Sequence, residues 1–340
     1  MNNGPSQTYT EALLPDYHPT ADFFICDVFD AAPKDDMASM EHPMFSLSTR
    51  PDRRILNYEH NGVQITVVPS VRGLATIHDK DILIYCISQL MAGLNSGRKM
   101  GRVVQLCAHD LLVATNRETS GDGYRRLRDA LERLVGTRVT TNYETAGQEI
   151  TTGFGLIESW QIVRHSRGGR MVNVTITLSE WLFRAVMSKS VLTLNRDYFR
   201  LRKPLERRIY ELARKHCGQQ AKWIVSVDTL LKKSGSASPR RVFRKMLRDM
   251  IASGHLPDYT MLEEPGDLIR FDRNDTVIET GAAPRLSPEA LQQARDILPG
   301  ADVYAMEAEW KGVWAKRGAV RLHSPDKAFL GWVAQRAKGV

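Results

Sequence analysis

Apolar residues recur every three to four positions in two separate parts of the chain, a spacing that is typical of amphipathic helices. In the first part the pattern predicts a long helix, a short strand, a short helix and a second long helix, over 79–94, 102–106, 109–115 and 121–135. The same order of elements returns over 203–217, 223–227, 228–233 and 239–253. In both parts, alternating apolar and polar residues follow and predict strands.

The strands that follow the last helix of each part are expected to form hairpins. They are predicted over 138–143, 149–163 and 171–178 in the first part and over 256–262 and 268–273 in the second. A helix, a strand, a short helix, a turn, a long helix and a hairpin follow one another in a winged helix, whose long helix enters the major groove of DNA. The sequence therefore predicts an α+β fold with tandem winged-helix domains over 61–180 and 181–280.

The chain outside these two domains differs in composition. Residues 1–60 are rich in Pro, Asp and Ser and predict an acidic, largely flexible leader with one apolar docking segment at 23–29. Residues 281–287 are typical of a linker. Residues 288–340 predict three short amphipathic helices and contain three of the six Trp, so we expect a small helical C-terminal module there.

Charge is distributed unevenly along the chain. The 340 residues carry a net charge of +8, but residues 1–60 contain 4 Lys or Arg against 10 Asp or Glu, and residues 181–280 contain 20 against 12. A strongly basic region favours a polyanionic partner, because Lys and Arg release condensed counterions when they bind DNA. A ribosomal, RNA-binding or membrane-surface protein would have a similar total, so charge alone does not identify the partner.

Basic residues collect on the last helix of each part and at one hairpin tip. Arg240 and Arg241 lie in the first turn of a predicted helix, where a positive charge opposes the helix dipole, and this cost indicates a role in contacting phosphates or base edges. A solvated helix face is the alternative. The acidic turn at 263–267 is expected not to grip the DNA backbone. The candidate DNA-binding residues are Arg125, Arg126, Arg128, Arg133, Arg164, Arg167, Arg170, Arg240, Arg241, Arg244, Lys245 and Arg248.

No catalytic, cofactor-binding or metal-binding pattern stands out in the sequence. The stretch 93–100 has the wrong spacing for a phosphate-binding P-loop and ends in Met100, where a hydroxyl is required to bind Mg²⁺. There is no His-x-His pair for the metal of a nicking enzyme, and the four Cys have neither metal-ligand nor disulfide spacing. No run of 18 apolar residues and no secretory signal is present. We therefore expect a cytoplasmic protein that is not an enzyme and that needs no cofactor, metal or membrane.

Several segments together resemble one known protein family. The longest are 108–117, with the sequence AHDLLVATNR, and 123–137, with the sequence GYRRLRDALERLVGT. Further similarity lies in 154–158, 178–182, 197–201 and 204–216. These segments, which span about residues 45–278, are similar to the plasmid replication initiator protein A family of bacteria. The tail from Leu286 resembles the C-terminal extensions of some members.

This resemblance implies an initiator without enzymatic activity. Such proteins bind double-stranded DNA at a plasmid origin, often at repeats, help to melt an AT-rich stretch and recruit host proteins, including the replicative helicase and the host initiator. The resemblance also implies a monomer–dimer equilibrium, since related initiators repress their own promoter as dimers. A stand-alone winged-helix repressor is the alternative, because it needs the same recognition helices. A nuclease or primase is a third interpretation, for which the sequence offers no metal ligands.

Overall fold

The computed structural model describes residues 13–18, 33–60, 63–95, 98–145, 148–164, 171–218, 220–274, 284–299, 301–316, 322 and 325–337. Its helices are α1 (Met37–Glu41), α2 (Lys80–Asn95), α3 (Ala108–Ala114), α4 (Gly121–Gly136), α5 (Glu180–Met187), α6 (Pro204–Cys217), α7 (Val227–Ser234), α8 (Arg240–Ser253), α9 (Pro288–Ile297), α10 (Val303–Lys316) and α11 (Pro325–Ala337), with a 3-10 helix at Arg196–Arg200. Its strands are β1 (Lys34–Asp36), β2 (Leu56–His60), β3 (Val63–Val68), β4 (Val103–Cys107), β5 (Arg138–Thr145), β6 (Gln148–Gly155), β7 (Ile157–Arg164), β8 (Met171–Leu178), β9 (Val191–Thr193), β10 (Lys222–Ser226), β11 (Tyr259–Glu264) and β12 (Leu268–Arg273). The fold is thus a mixture of helices and strands.

The first part of the chain distributes its strands over two antiparallel sheets. One sheet has the order β4–β8–β7 and packs against α3 and α4. The other has the order β2–β3–β5–β6. The single strand predicted over 149–163 is wrong: it is two strands, because the chain passes from one sheet to the other at Leu156, which is buried. The alternation of Val63, Ile65 and Val67 with polar residues predicts a further strand over 62–69, which β3 confirms; its partner β2 was not predicted.

The second part forms one sheet with the order β10–β12–β11, next to α6, α7 and α8. Ser226 caps α7, since its hydroxyl accepts a hydrogen bond from the backbone N–H of Thr229 at 3.1 Å. Helix α8 buries Phe243 and Leu247 and ends at Gly254, whose φ of 57° favours glycine. Both parts share the order helix, strand, helix, helix and hairpin, but β5 and β6 interrupt this order in the first part.

Residues 33–60 belong to the folded body, so the predicted leader needs correction over this range. Strand β1 pairs with β9, and Met40 and Phe45 are buried in the core. The acidic composition predicted an exposed segment, but Asp35 and Asp36 are themselves buried and paired. The apolar segment at 23–29 lies outside the described residues.

Buried apolar side chains from both parts form one continuous core that extends from Leu13 to Phe271. A second core joins α9, α10 and α11 and includes Trp310, Phe329 and Val333. The three C-terminal helices lie within the range 288–340 where the sequence predicts them, and Pro288 and Pro325 are the first residues of α9 and α11. The predicted limits of the domains and of the linker 281–287, of which 284–287 are described, stay predictions.

A cluster of buried charges lies where α2, α6 and β1 meet. The Lys80 ammonium lies 2.6 Å from the Asp35 carboxylate and 3.1 Å from the Glu211 carboxylate, and all three side chains have no exposed surface. The Tyr198 hydroxyl donates a hydrogen bond to Glu211 at 2.7 Å. Burial raises the pKa of Asp35 well above its usual value. Removing several charges from water is costly unless each is paired, so the cluster tightly constrains how these elements meet.

Two arginines of α6 extend this cluster. Arg208 donates a hydrogen bond of 3.0 Å to the Met40 carbonyl of α1 and also contacts Glu211 at 3.1 Å. Arg207 lies 2.6 Å from Asp81 in α2, and the same carboxylate receives Arg117 at 2.9 Å. Helix α6 is therefore joined to α1 and α2, and Asp81 of α2 in turn binds the turn after α3.

Replacing the buried lysine tests this cluster. We expect Lys80→Met to lower the free energy of unfolding by about 3–5 kcal/mol, because the variant leaves the buried Asp35 carboxylate without its cation and removes one of the two cations that contact Glu211. Urea denaturation at pH 7 measures this loss. As a control, Lys222→Met alters an exposed lysine of β10 and should change the free energy by less than about 0.5 kcal/mol. A similarly small change for Lys80→Met would contradict the role of the cluster.

The titration of His78, just before α2, should make the stability of the protein depend on pH. Burial, together with the nearby charges of Arg207 and Arg117, lowers the pKa of His78 from 6.5 to about 2. The unfolded chain therefore binds a proton below about pH 6.5 that the folded chain does not bind, and stability falls with decreasing pH by up to about 1.4 kcal/mol per unit.

The expected result is a shallower pH dependence for His78→Gln than for the wild type. Unfolding free energies measured by urea denaturation between pH 7 and pH 5 give the two slopes. His109→Gln serves as the matched control, since the His109 side chain is 45% exposed. Equal slopes in the wild type and His78→Gln would show that another group causes the acid sensitivity.

Candidate nucleic-acid interface

The turn between α3 and α4 has a geometry that only particular residues allow. Asn116 adopts a left-handed φ of 54°, which Asn tolerates better than most residues. At Gly123 a side-chain Cβ would lie 2.0 Å from the carbonyl oxygen of Glu118, so only glycine fits. This close approach sets the angle at which α4 leaves the turn and positions the side chains of its outer face.

Helix α4 separates an apolar face from a basic one. Leu127 and Leu131 are buried in the core, whereas the side chains of Arg125, Arg126 and Arg128 are 73%, 71% and 54% exposed. Within the described part of the chain, the three arginines form ion pairs with acidic residues of α4 itself, namely Asp122 and Glu132. Exposed pairs of this kind contribute little to stability, so these guanidinium groups can exchange their partners for phosphate at low cost.

Arg133, predicted together with these three residues, has a different environment. It donates two hydrogen bonds, of 2.7 and 2.8 Å, to the carboxylate of Asp79, which lies just before α2. The Asp79 hydrogen bonds raise the pKa of Arg133, and only 23% of its side chain is exposed. Arg133 thus joins two elements of the fold.

The predicted basic hairpin tip is only partly described. Arg164 is exposed at the end of β7, in the hairpin that β7 forms with β8. Arg167 and Arg170 lie outside the described residues.

Helix α8 has basic side chains in two neighbouring stripes. Phe243, Leu247 and Met250 face the core. One stripe consists of Arg240, Arg244 and Arg248, which follow one another at intervals of four residues. Arg241 and Lys245 form the other stripe and are exposed.

Carboxylates surround the first of these stripes. Arg240 contacts Asp228 of α7 at 2.5 and 3.1 Å and also pairs with Asp267 in the turn between β11 and β12. Arg244 lies 2.7 Å from the same Asp267, and this hydrogen bond lowers the pKa of the Asp267 carboxyl. These contacts offset the cost of a positive charge in the first turn of α8.

Arg248 is held in the same manner by the strand that follows α8. It donates hydrogen bonds of 2.9 and 2.8 Å to the Glu263 carboxylate in β11. Sequence reasoning missed these contacts, although the signal was present: basic residues spaced by four in a helix precede a hairpin whose turn is acidic. The expectation that this turn avoids the DNA backbone stays a prediction.

A short N-terminal segment was also missed as part of the site. Residues 13–18 lie against the turn between α3 and α4: Asn116 accepts a hydrogen bond from the Tyr17 backbone at 2.8 Å and donates one to the Pro15 carbonyl at 2.9 Å. The Leu14 N–H donates to the Arg200 carbonyl at 2.8 Å on the other side. The segment therefore links this turn to the 3-10 helix that precedes α6.

The described residues contain neither a metal-binding cluster nor a membrane-spanning helix. No three His, Cys, Asp or Glu side chains in the described ranges are grouped so as to hold a metal ion. In the same part of the chain, no helix has the length and apolar character needed to cross a membrane.

Comparison with solved structures shows which fold this arrangement resembles. A crystal structure of domains 2 and 3 of RctB matches with a TM-score of 0.50 and 12% sequence identity, over 75% of this chain and 97% of the other. A second structure of the same RctB domains matches with a TM-score of 0.47 and 15% identity, over 68% of this chain and 95% of the other. At such low identity, the first match supports a similar fold and nothing more.

Sequence comparison is more specific. A protein of Wigglesworthia glossinidia brevipalpis, described as a putative replication protein, is 39% identical over 244 residues, which cover 71% of this chain and 88% of that protein. The family profile named replication initiator protein A matches residues 34–261, which include the turn before α4 and both basic helices. The chain therefore belongs to the replication initiator protein A family.

Proposed function

We propose that this protein initiates plasmid replication by binding repeated sequences in double-stranded origin DNA through two winged helices. Membership of the initiator family supports the role in replication. The order helix, strand, helix, helix and hairpin in each part supports the winged helix. In this proposal α4 and α8 are the recognition helices, and the hairpins β7–β8 and β11–β12 are the wings.

The exposed arginine face of α4 is the observation that carries the proposal. Arg125, Arg126 and Arg128 project from the helix that follows the glycine-dependent turn, on the side opposite the core. Guanidinium groups form paired hydrogen bonds with phosphate and with guanine, so this face suits a DNA duplex. Arg164 at the end of β7 is placed to add a phosphate contact from the wing.

Origin opening and recruitment of host proteins would follow once α4 and α8 have bound the DNA. The bound protein would help to open an AT-rich stretch and recruit the host replicative helicase and host initiator, and the Trp-rich module of α9–α11 is the part available for such partners. No catalytic residue, cofactor or metal is assigned, and the protein would act in the cytoplasm as a monomer in equilibrium with a dimer. A role as a stand-alone repressor is less favoured, since a repressor needs no additional module for docking.

A complementation experiment distinguishes the initiator from the repressor. The gene, supplied in trans, should maintain a plasmid that carries only the cognate origin. Shutdown of a promoter by the protein, without maintenance of that plasmid, would favour the repressor. A footprint on the DNA that flanks the gene identifies the duplex used in both experiments.

The α4 face gives a direct prediction for DNA binding. Replacing Arg125, Arg126 and Arg128 by Ala should weaken binding to the footprinted duplex by about 1–3 kcal/mol for each arginine that reads a base, and should reduce the salt dependence for each one that contacts phosphate. Band-shift titrations at several salt concentrations measure both effects. Unaltered affinity and salt dependence in the triple variant would remove α4 from the interface.

Arg133 provides the matched comparison on the same helix. Arg133→Gln should lower the free energy of unfolding by about 1–3 kcal/mol, because it leaves the Asp79 carboxylate, 4% exposed, without its partner. The affinity of the folded protein for DNA should remain close to that of the wild type. Urea denaturation and band-shift titration of the same sample test both statements, and loss of affinity without loss of stability would place Arg133 at the DNA instead.

A further inference from the structure

The outer surface of α8 contains side chains that differ sharply in their partners. Arg240, Arg244 and Arg248 are each paired with carboxylates from α7, from the β11–β12 turn or from β11. Arg241 and Lys245 have no ion pair or hydrogen-bonding partner among the described residues. Since successive helical residues are rotated by 100°, Arg241 and Lys245 lie almost opposite the buried Phe243 and Leu247 and point farthest from the core.

An exposed apolar residue lies next to Arg241 in the sequence. Val242 is 46% exposed, although it lies in the first turn of a helix whose other large apolar residues are mostly directed to the core. An exposed valine at the start of a recognition helix has the size and chemistry to contact the methyl group of thymine in the major groove. Asp249, one turn beyond Lys245, ends the basic stripe and confines it to the N-terminal half of the helix.

The paired arginines are poor candidates for reading bases. To reach the DNA, Arg240 would have to leave both Asp228 and Asp267, and Arg248 would have to leave the two hydrogen bonds to Glu263. The ion pairs of α4 lie within one helix, whereas these paired hydrogen bonds join α8 to α7 and β11, so releasing them would also loosen the contacts between elements. The released carboxylates would in addition repel the DNA phosphates. Arg241 and Lys245 bear neither cost.

From these contacts we infer that α8 recognises its DNA sequence through Arg241, Val242 and Lys245. Arg240, Arg244 and Arg248 are instead positioning residues that hold the β11–β12 hairpin against α8. Arg241 donates to a guanine, Val242 contacts a thymine methyl group in the neighbouring base pair, and Lys245 binds phosphate or a second guanine. This inference rests on the proposed function, and it narrows the five basic residues predicted on this helix to two.

The test begins with a duplex chosen by the wild-type protein itself. The full-length chain selects its preferred sequence from a random duplex library, and the selected duplex is then titrated with single variants. Arg241→Ala and Arg240→Ala form a matched pair, because they remove the same side chain at adjacent exposed positions of one helical turn. Thermal unfolding of each variant confirms that it is folded.

We expect Arg241→Ala to bind the selected duplex about 5- to 150-fold more weakly and to lose the preference for guanine at one position. Val242→Ala should lose the preference for thymine at an adjacent position. Arg240→Ala should keep the selected sequence and change the affinity by less than about 3-fold. Asp267→Asn should keep the selected sequence and bind a mixed-sequence duplex more tightly, since it removes a negative charge beside α8.

Three results would overturn the inference or the function beneath it. A changed sequence preference in Arg240→Ala, or an affinity loss as large as that of Arg241→Ala, would show that the paired stripe reads the DNA. Unchanged affinity and preference in both Arg241→Ala and Val242→Ala, with binding lost in the α4 triple variant, would overturn this inference while the proposed function stands. Failure of the wild-type protein to select any duplex would contradict the proposed function itself.

Discussion

The buried pairing of Lys80 with Asp35 and Glu211 is the constraint on which the arrangement of the two halves depends. Each of the three charges comes from a different element, and none can be left in the core without the others. Because Glu211 lies in α6 and Lys80 in α2, the cluster ties the second half to the first at one defined position. Arg207 and Arg208 add further contacts across the same boundary. Both parts of the chain are consequently attached to one core.

Ion pairs between basic residues and carboxylates also occur at the surface, where their role depends on their surroundings. The guanidinium groups of Arg125, Arg126 and Arg128 pair with carboxylates of α4 itself and remain exposed. The basic residues of α8 are divided between a stripe held by neighbouring elements and a stripe without partners among the described residues. Charge along the sequence does not distinguish these cases. The division depends on which acidic residues the fold brings near each arginine, and it is this proximity that separates a residue available to DNA from one that stabilises the protein.

Much of the element order was predictable from the sequence, because strong apolar stripes and clear stops such as Gly254 mark most helices. The strand over 149–163 was predicted as one element, since alternation of apolar residues continues across Leu156 and contains no sign that the chain changes sheets. Residues 33–60 were wrongly predicted to be flexible, because the composition shows an acidic segment but not the cation that pairs with Asp35 in the core. The basic helix α8 was located correctly, whereas the partners of Arg240 and Arg248 depend on the hairpin's return and are invisible to local pattern.

The shared core also bears on how such proteins change over time. Recombination that exchanged one half for that of a relative would separate Glu211 from Lys80 and Arg207 from Asp81, and each side would meet a foreign surface. Both ends of these pairs must therefore be inherited together. The outer stripes of α4 and α8 take no part in these pairs, so under the proposed function a new target sequence requires only single substitutions there, while the junction between the halves stays unaltered.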